Sequence, residues 1–113
     1  AILTDEMTKA WSGLTVKEYK ELKGLKKENL RDNMTDIELV LNMLAEVTTT
    51  TLSKKEQPET FAENRSVAKR GGKFAGDTRK RFEEEIGGKV ISPLNASDKP
   101  ALETKKDNDE NKG

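Results

Sequence analysis

Apolar residues recur at helical spacing in several separate segments of the chain. The segment TDIELVLNMLAEV, residues 35–47, is the most apolar, and its apolar positions share one face of a helix: Ile37, Val40, Leu41, Leu44 and Val47, widened by Leu39 and Met43. The threonines at 48–51 weaken this helix, but Leu52 and SKKEQ extend it as far as Pro58, which stops it. We expect this helix to lie at the centre of the fold.

Threonine–glutamate pairs and glycines mark the helix boundaries. In a capping box the hydroxyl and the carboxylate satisfy backbone donors at a helix start, and three pairs have this spacing: Thr15–Glu18, Thr35–Glu38 and Thr60–Glu63. Gly24 and the pair Gly87–Gly88 are typical helix ends. A further short helix is predicted to start at Thr4–Asp5 and to end near Gly13.

The segment LKKENLRDNM, residues 25–34, forms either a second short helix or an irregular turn. Together with the helix before Gly24 it could be drawn as a helix-turn-helix. The second helix would then present Lys26, Lys27, Asn29, Arg31 and Asn33. Acids are interleaved with these residues, and helix hairpins are common in proteins that do not bind DNA.

The segment from Thr60 to Ile86 separates charge from apolar residues when it is drawn as a helix. Between residues 65 and 81 there are seven basic residues and one acid. At about 100° per residue, one side of the helix carries the candidate nucleic-acid-binding residues Arg65, Lys69, Arg70, Lys73, Lys80 and Arg81. The other side carries the residues expected to pack on the Thr35 helix, namely Val67, Ala68, Phe74, Ala75, Phe82 and Ile86.

Gly71, Gly72 and Gly76 lie in the interior of this predicted helix, although a glycine there costs about 1 kcal/mol of helix stability relative to alanine. Ala68, Gly72 and Gly76 follow one another at every fourth position, so a row of small residues could let another helix approach closely. Two other interpretations stay open: Gly71–Gly72 breaks the helix, or the glycines let a phosphate backbone approach. RGGKFAGDT lacks the Lys-Ser/Thr ending of a P-loop.

The basic face also has three interpretations: a solvated helix surface, contact with phosphates, or contact with an acidic protein partner. No aromatic residue alternates with the basic ones, so nothing here is suited to stack on bases. Any DNA binding is therefore expected to be weak, salt-sensitive and non-specific.

The pattern predicts an all-α fold, a small domain of four to five helices with a possible short extended segment near residues 89–92. The helical domain covers residues 1–96. Residues 97–113 are polar and charged and are expected to form a disordered tail. The chain starts at Ala1 rather than at a methionine, as a fragment of a longer protein would.

Composition argues against several classes of function. The 113 residues include no cysteine and no histidine, which removes thiolate metal sites and the commonest general base. Carboxylates are spread among lysines, so catalysis and cofactors are not expected. No apolar run approaches the roughly 20 residues that span a bilayer, and no signal peptide is visible, so we expect a cytoplasmic protein without membrane contact.

Four sequence blocks resemble the C-terminal region of the DNA-damage-inducible protein D family and related BRO-type phage antirepressors. They lie in order between about residues 14 and 96: KGLKKENLRDNM, LVLNMLAE, VAKRGGKFAGDTRK and GGKVISPLNA. The resemblance implies a non-enzymatic regulatory module of the bacterial response to DNA damage or of prophage regulation. The resemblance implies no catalytic residue in this chain. It also implies that a DNA-binding N-terminal domain is missing from this chain.

Two functions follow as expectations. In the first, the chain assists weak binding of DNA or nucleoprotein through its basic helix face. In the second, it is an oligomerisation or protein-docking domain, pairing with itself or with a repressor and making no contact with nucleic acid.

Overall fold

The computed structural model describes residues 2–94, and this part of the chain contains four α-helices and no strand. Helix α1 spans Ile2–Ser12, α2 spans Val16–Leu22, α3 spans Asp36–Glu56 and α4 spans Phe61–Ile86. One short 3-10 turn, Arg31–Asn33, lies between α2 and α3. The all-α prediction is confirmed. The predicted tail at 97–113 lies outside the described residues.

The helix starts predicted at Thr15, Thr35 and Thr60 are confirmed, whereas α1 begins at Ile2, before its predicted start at Thr4–Asp5. The hydroxyl of Thr15 accepts a hydrogen bond from the backbone of Glu18 at 3.1 Å, and the Thr15 N–H donates to the Glu18 carboxylate at 2.9 Å. The same reciprocal pair caps α4 through Thr60 and Glu63. At Thr35 the N–H donates to the Glu38 carboxylate at 2.8 Å. Each pair satisfies backbone donors that a helix start would otherwise leave without partners.

The helix ends depend on backbone conformations that glycine adopts easily. Gly87 follows α4 with φ +68, and its N–H donates to the Glu83 carbonyl, as predicted. Helix α3 continues through the threonine run to Glu56, and Gln57 ends it in the left-handed region with φ +52. The helix therefore ends two residues before Pro58.

Helix α4 is continuous through Gly71–Gly72, so the broken-helix alternative is wrong. A Cβ on Gly72 would overlap the carbonyl oxygen of Met7 and would lie 2.7 Å from the Cβ of Ala10. A Cβ on Gly76 would lie 2.8 Å from the Ala10 carbonyl oxygen. On the other side of α4, a Cβ on Gly71 would lie 2.8 Å from the backbone nitrogen of Thr49. The glycines let α4 approach α1 and α3 closely, which confirms the packing interpretation.

Helix α4, not α3, is the central helix of the fold. It packs extensively against both α1 and α3, whereas α1 and α3 share a much smaller contact. Its buried residues are small: Val67, Ala68, Gly71, Gly72, Ala75 and Gly76. The expectation that the Thr35 helix is central was wrong because the glycines, which add nothing to a hydrophobic pattern, lie in the middle of the contact surface.

Half of the predicted packing residues of α4 are exposed. Val67, Ala68 and Ala75 are buried, but Phe74 is 56% exposed, and Phe82 and Ile86 are also exposed. The buried arc is centred on the small residues, and this places Phe74 outside it. Arg79 donates to the Trp11 carbonyl in the last turn of α1, so the α4 turns that carry Phe82 and Ile86 extend beyond α1.

The buried face of α3 agrees with the prediction only in part: Leu41 is buried, and Ile37, Leu39 and Leu44 are partly buried against the core. Glu38, Leu41, Asn42 and Ala45 are buried, whereas Val40, Met43 and Val47 are exposed. Trp11, which is fully buried, donates its indole N–H to the Asn42 side chain at 3.2 Å. Glu38 and Asn42 lie on the inward face because their side chains form buried hydrogen bonds there. Since both residues are polar, the apolar pattern of the sequence does not reveal that they are buried.

The remaining segments settle two open expectations. Residues 25–34 contain only the 3-10 turn, so the irregular-turn alternative is confirmed and no second helix exists to complete a helix-turn-helix. Residues 89–92 form no strand. Val90 is nevertheless buried in the core beside the helices, which explains its apolar character.

Candidate functional site

A groove of about 680 Å³ runs between α1 and α4. Five basic and three acidic residues line it, together with two small residues and a threonine: Arg65, Lys69, Lys73, Lys80, Lys9, Asp5, Glu6, Asp77, Ala10, Gly76 and Thr15. The close approach of the two helices at Gly76 forms its floor, and the long basic side chains form its walls. We refer to it below as the basic groove.

The structure brings together four of the six predicted site residues. Arg65, Lys69, Lys73 and Lys80 line the basic groove. Arg70 lies outside it and binds the Glu56 carboxylate through two hydrogen bonds of 2.7 Å. Those bonds hold the pKa of Glu56 below its usual range. Arg81 is exposed on α4 and does not line the groove.

All three acids of the basic groove already have intramolecular partners. Glu6 binds Arg65 at 2.7 Å and lies 3.9 Å from the ammonium group of Lys69. Asp77 pairs with Lys73, one helical turn away, at 3.1 Å. Asp5 accepts a hydrogen bond from the backbone N–H of Val16 at 3.0 Å.

The groove retains positive charge after these pairs are formed. Within residues 2–94, Lys9 and Lys80 make no ion pair, and Lys69 makes only the long contact to Glu6. Lys9 comes from α1 and was not predicted, because a helical wheel of one segment cannot show what a second helix adds. The sequence of α1 gives no sign of this contribution, because the helix carries two acids and a single lysine.

The chemistry of the basic groove is suited to binding anions. Lysine ammonium groups bind phosphates as point charges, without directional readout. No aromatic side chain lines the groove, so the groove offers no surface on which nucleic-acid bases could stack. The groove therefore presents cationic side chains that can bind an anion.

A second polar cluster is buried between α2, α3 and the segment that follows α4. Lys23 and Glu38 form an ion pair of 2.7 Å in which both side chains are fully buried. The Glu38 carboxylate also accepts hydrogen bonds from the Tyr19 hydroxyl at 2.5 Å and from the backbone N–H groups of Thr35 and Ser92. Pattern reasoning missed this cluster because its members lie far apart in the sequence.

The buried cluster has no capacity left for a ligand. The Lys23 ammonium donates to Glu38 and to the carbonyls of Ser92 and Leu94, which uses its three hydrogens. Burial, together with the hydrogen bond to Glu38, raises the pKa of Tyr19 far above its usual range. The cluster therefore fixes the neutral phenol and holds α2 against α3, and it has a structural role.

Two further kinds of site are absent from residues 2–94. No group of acidic side chains there is arranged to hold a metal ion. No helix there combines the length and the apolar character that crossing a bilayer requires.

Comparison with known proteins gives no family assignment. No protein-family model, curated protein or solved structure matches this chain.

Proposed function

We propose that this chain is a non-enzymatic module that binds the phosphate backbone of nucleic acid through the basic groove. One observation carries the proposal. Five basic side chains from two helices converge on one groove whose acids are already engaged. The positive charge of Lys9 and Lys80 is then left for an external anion.

The proposed contact is to the backbone and not to the bases. Phosphate contacts position a protein without reading sequence, and lysines on a helix surface are suited to that role. The net charge of the whole chain is zero, so long-range attraction is weak and the affinity depends on this local surface. We therefore expect weak binding that falls steeply with salt.

The regulatory setting belongs to the same proposal. The four sequence blocks that resemble the DNA-damage-inducible protein D family and the BRO-type antirepressors suggest a cytoplasmic regulator of the DNA-damage response or of a prophage. In such a regulator this module would assist a separate DNA-binding domain by adding backbone contacts.

The proposal is tested by fluorescence anisotropy of labelled single-stranded and duplex DNA at several salt concentrations. If Lys9, Lys69 and Lys80, the three cations without a close carboxylate, each contact a phosphate of duplex DNA, the logarithm of the association constant should fall with the logarithm of salt with a slope of about −3. A Lys9→Glu/Lys80→Glu variant removes the two unpaired cations and should reduce the magnitude of that slope by about 2.

The matched control reverses the charge of two lysines that lie outside the basic groove. Lys26 and Lys27 are exposed in the segment after α2 and do not line the basic groove. A Lys26→Glu/Lys27→Glu variant has the same net charge as the groove variant and should bind as well as the unmodified chain. Equal loss in both variants, or no binding at low salt where screening is weakest, would contradict the proposal.

A further inference from the structure

The side of α3 that faces away from α1 and α4 is apolar along its middle. Val40, Met43 and Val47 are 58%, 43% and 60% exposed, although they are among the most apolar residues of the helix. They are separated by three and four residues, the spacing of a coiled-coil seam. The same side continues through exposed positions at both ends: Asp36 before them, and Thr50 and Lys54 after them.

We propose that this outer face pairs with the same face of a second copy of the chain, with the two α3 helices antiparallel across a two-fold axis. We call the six positions the α3 seam: Asp36, Val40, Met43, Val47, Thr50 and Lys54. The proposal goes beyond nucleic-acid binding, because the α3 seam and the basic groove share no residue.

The distribution of charge along the seam identifies a second copy as the partner and the antiparallel orientation as the arrangement. A two-fold axis beside residue 45 places Met43 opposite Val47 of the partner subunit. The same axis places Asp36 opposite Lys54 of the partner subunit, at both ends of the contact. A parallel pair would instead bring two aspartates together at one end and two lysines at the other, and like charges oppose association.

The residues on either side of the α3 seam are compatible with close packing of two α3 helices. Leu39 and Leu44 border it, one on each side, and both are only partly buried by the chain's own core. Glu46 also lies on a flank, near its own symmetry mate, but Arg31 binds its carboxylate at 2.9 Å and offsets the charge. Because the proposed contact involves one face of a single helix from each copy, and a standard interface buries roughly 1,200–2,000 Å² from 20–30 residues a side, we expect a weak and reversible dimer.

Sedimentation equilibrium over a wide range of protein concentration tests the association. The unmodified chain should approach the mass of a dimer as concentration rises. Val47→Glu places two carboxylates in the middle of the seam and should raise the dissociation constant about tenfold or more. Because Val47 is 60% exposed, the variant should keep its helical circular dichroism.

The control adds the same charge to another exposed apolar side chain. Ile2 on α1 is 62% exposed, and Ile2→Glu should dimerise like the unmodified chain. A chain that stays monomeric at the highest concentration, or a Val47→Glu variant that dimerises normally, would overturn the proposal.

Disulfide trapping tests the orientation, since the chain has no cysteine of its own. A mixture of the single variants Met43→Cys and Val47→Cys should form the mixed 43–47 disulfide in preference to either symmetric product. Dominance of the symmetric 43–43 and 47–47 products would indicate a parallel pair and contradict the antiparallel arrangement.

Discussion

The ammonium group of Lys23 lies 2.7 Å from the carboxylate of Glu38, and neither side chain is exposed to solvent. The two residues join the end of α2 to the first turn of α3 across the irregular segment between them. Removing one member of a buried pair leaves the other charge in a non-aqueous environment without its counterion. The stability of this region therefore depends on both residues together.

Lys23→Met should lower the free energy of unfolding by about 3–5 kcal/mol, because it leaves the Glu38 carboxylate buried and uncompensated. Urea denaturation measures this loss. The matched control is Arg31→Met, since Arg31 and Glu46 form an ion pair of 2.9 Å in which the side chains are 47% and 38% exposed. That exposed pair should contribute no more than about 1 kcal/mol. Equal losses in the two variants would contradict the buried role of Lys23.

Gly72→Ala should destabilise the domain even though alanine is the better helix former. The added methyl group would overlap the Met7 carbonyl oxygen and crowd the Ala10 side chain. Overpacking of this kind costs about 1–3 kcal/mol. Gly88→Ala is the control, because a Cβ there meets no atom within 4 Å. Thermal unfolding should show a clear drop for Gly72→Ala and little change for Gly88→Ala, and a rise for Gly72→Ala would exclude close packing against α1.

Phe74→Ala should change stability by less than about 1 kcal/mol, because that side chain is already 56% exposed. Trp11→Ala, in contrast, removes a fully buried indole and its hydrogen bond to Asn42, and should cost about 3–5 kcal/mol. Chemical denaturation of both variants compares the two sites. A severe loss in Phe74→Ala would show that the arc of small residues is not the buried face of α4.

Tyr19 should make the domain sensitive to alkaline pH. Its folded-state pKa is raised by burial and by the hydrogen bond to Glu38, whereas an unfolded tyrosine ionises near pH 10. The stabilisation is therefore fully present below about pH 10. Above that pH it declines, because only the unfolded chain readily loses the proton. Since Tyr19 is the sole tyrosine, tyrosinate absorbance reports it directly and should rise only as the chain unfolds. Ionisation near pH 10 in a folded chain would contradict the burial of Tyr19.

The helices and their caps could be predicted from the sequence because their signals are local. Thr15, Thr35 and Thr60 each lie three residues from the glutamate that completes the cap. The orientation of the helices could not be predicted in the same way. The inward faces of α3 and α4 contain Asn42 and Gly72, and neither residue contributes to an apolar pattern.

The candidate site was predictable only in part for a similar reason. The basic residues of α4 were visible on one helix, but Lys9 is added by packing with a helix more than 50 residues away in the chain. The sequence also does not show which acids neutralise part of the basic surface of α4. Glu6 and Glu56 reach Arg65 and Arg70 from other helices, so only the tertiary structure shows which cations keep their charge available.

The most direct test of the proposed function maps amide chemical shifts of the isotopically labelled chain during titration with a short duplex DNA at low salt. Changes should concentrate along the basic groove, at Lys9, Lys69, Gly76 and Lys80, and should disappear as salt is raised. Val47, on the α3 seam, should not respond to DNA. Changes confined to α3, or no salt-sensitive change along α1 and α4, would contradict nucleic-acid binding by the basic groove.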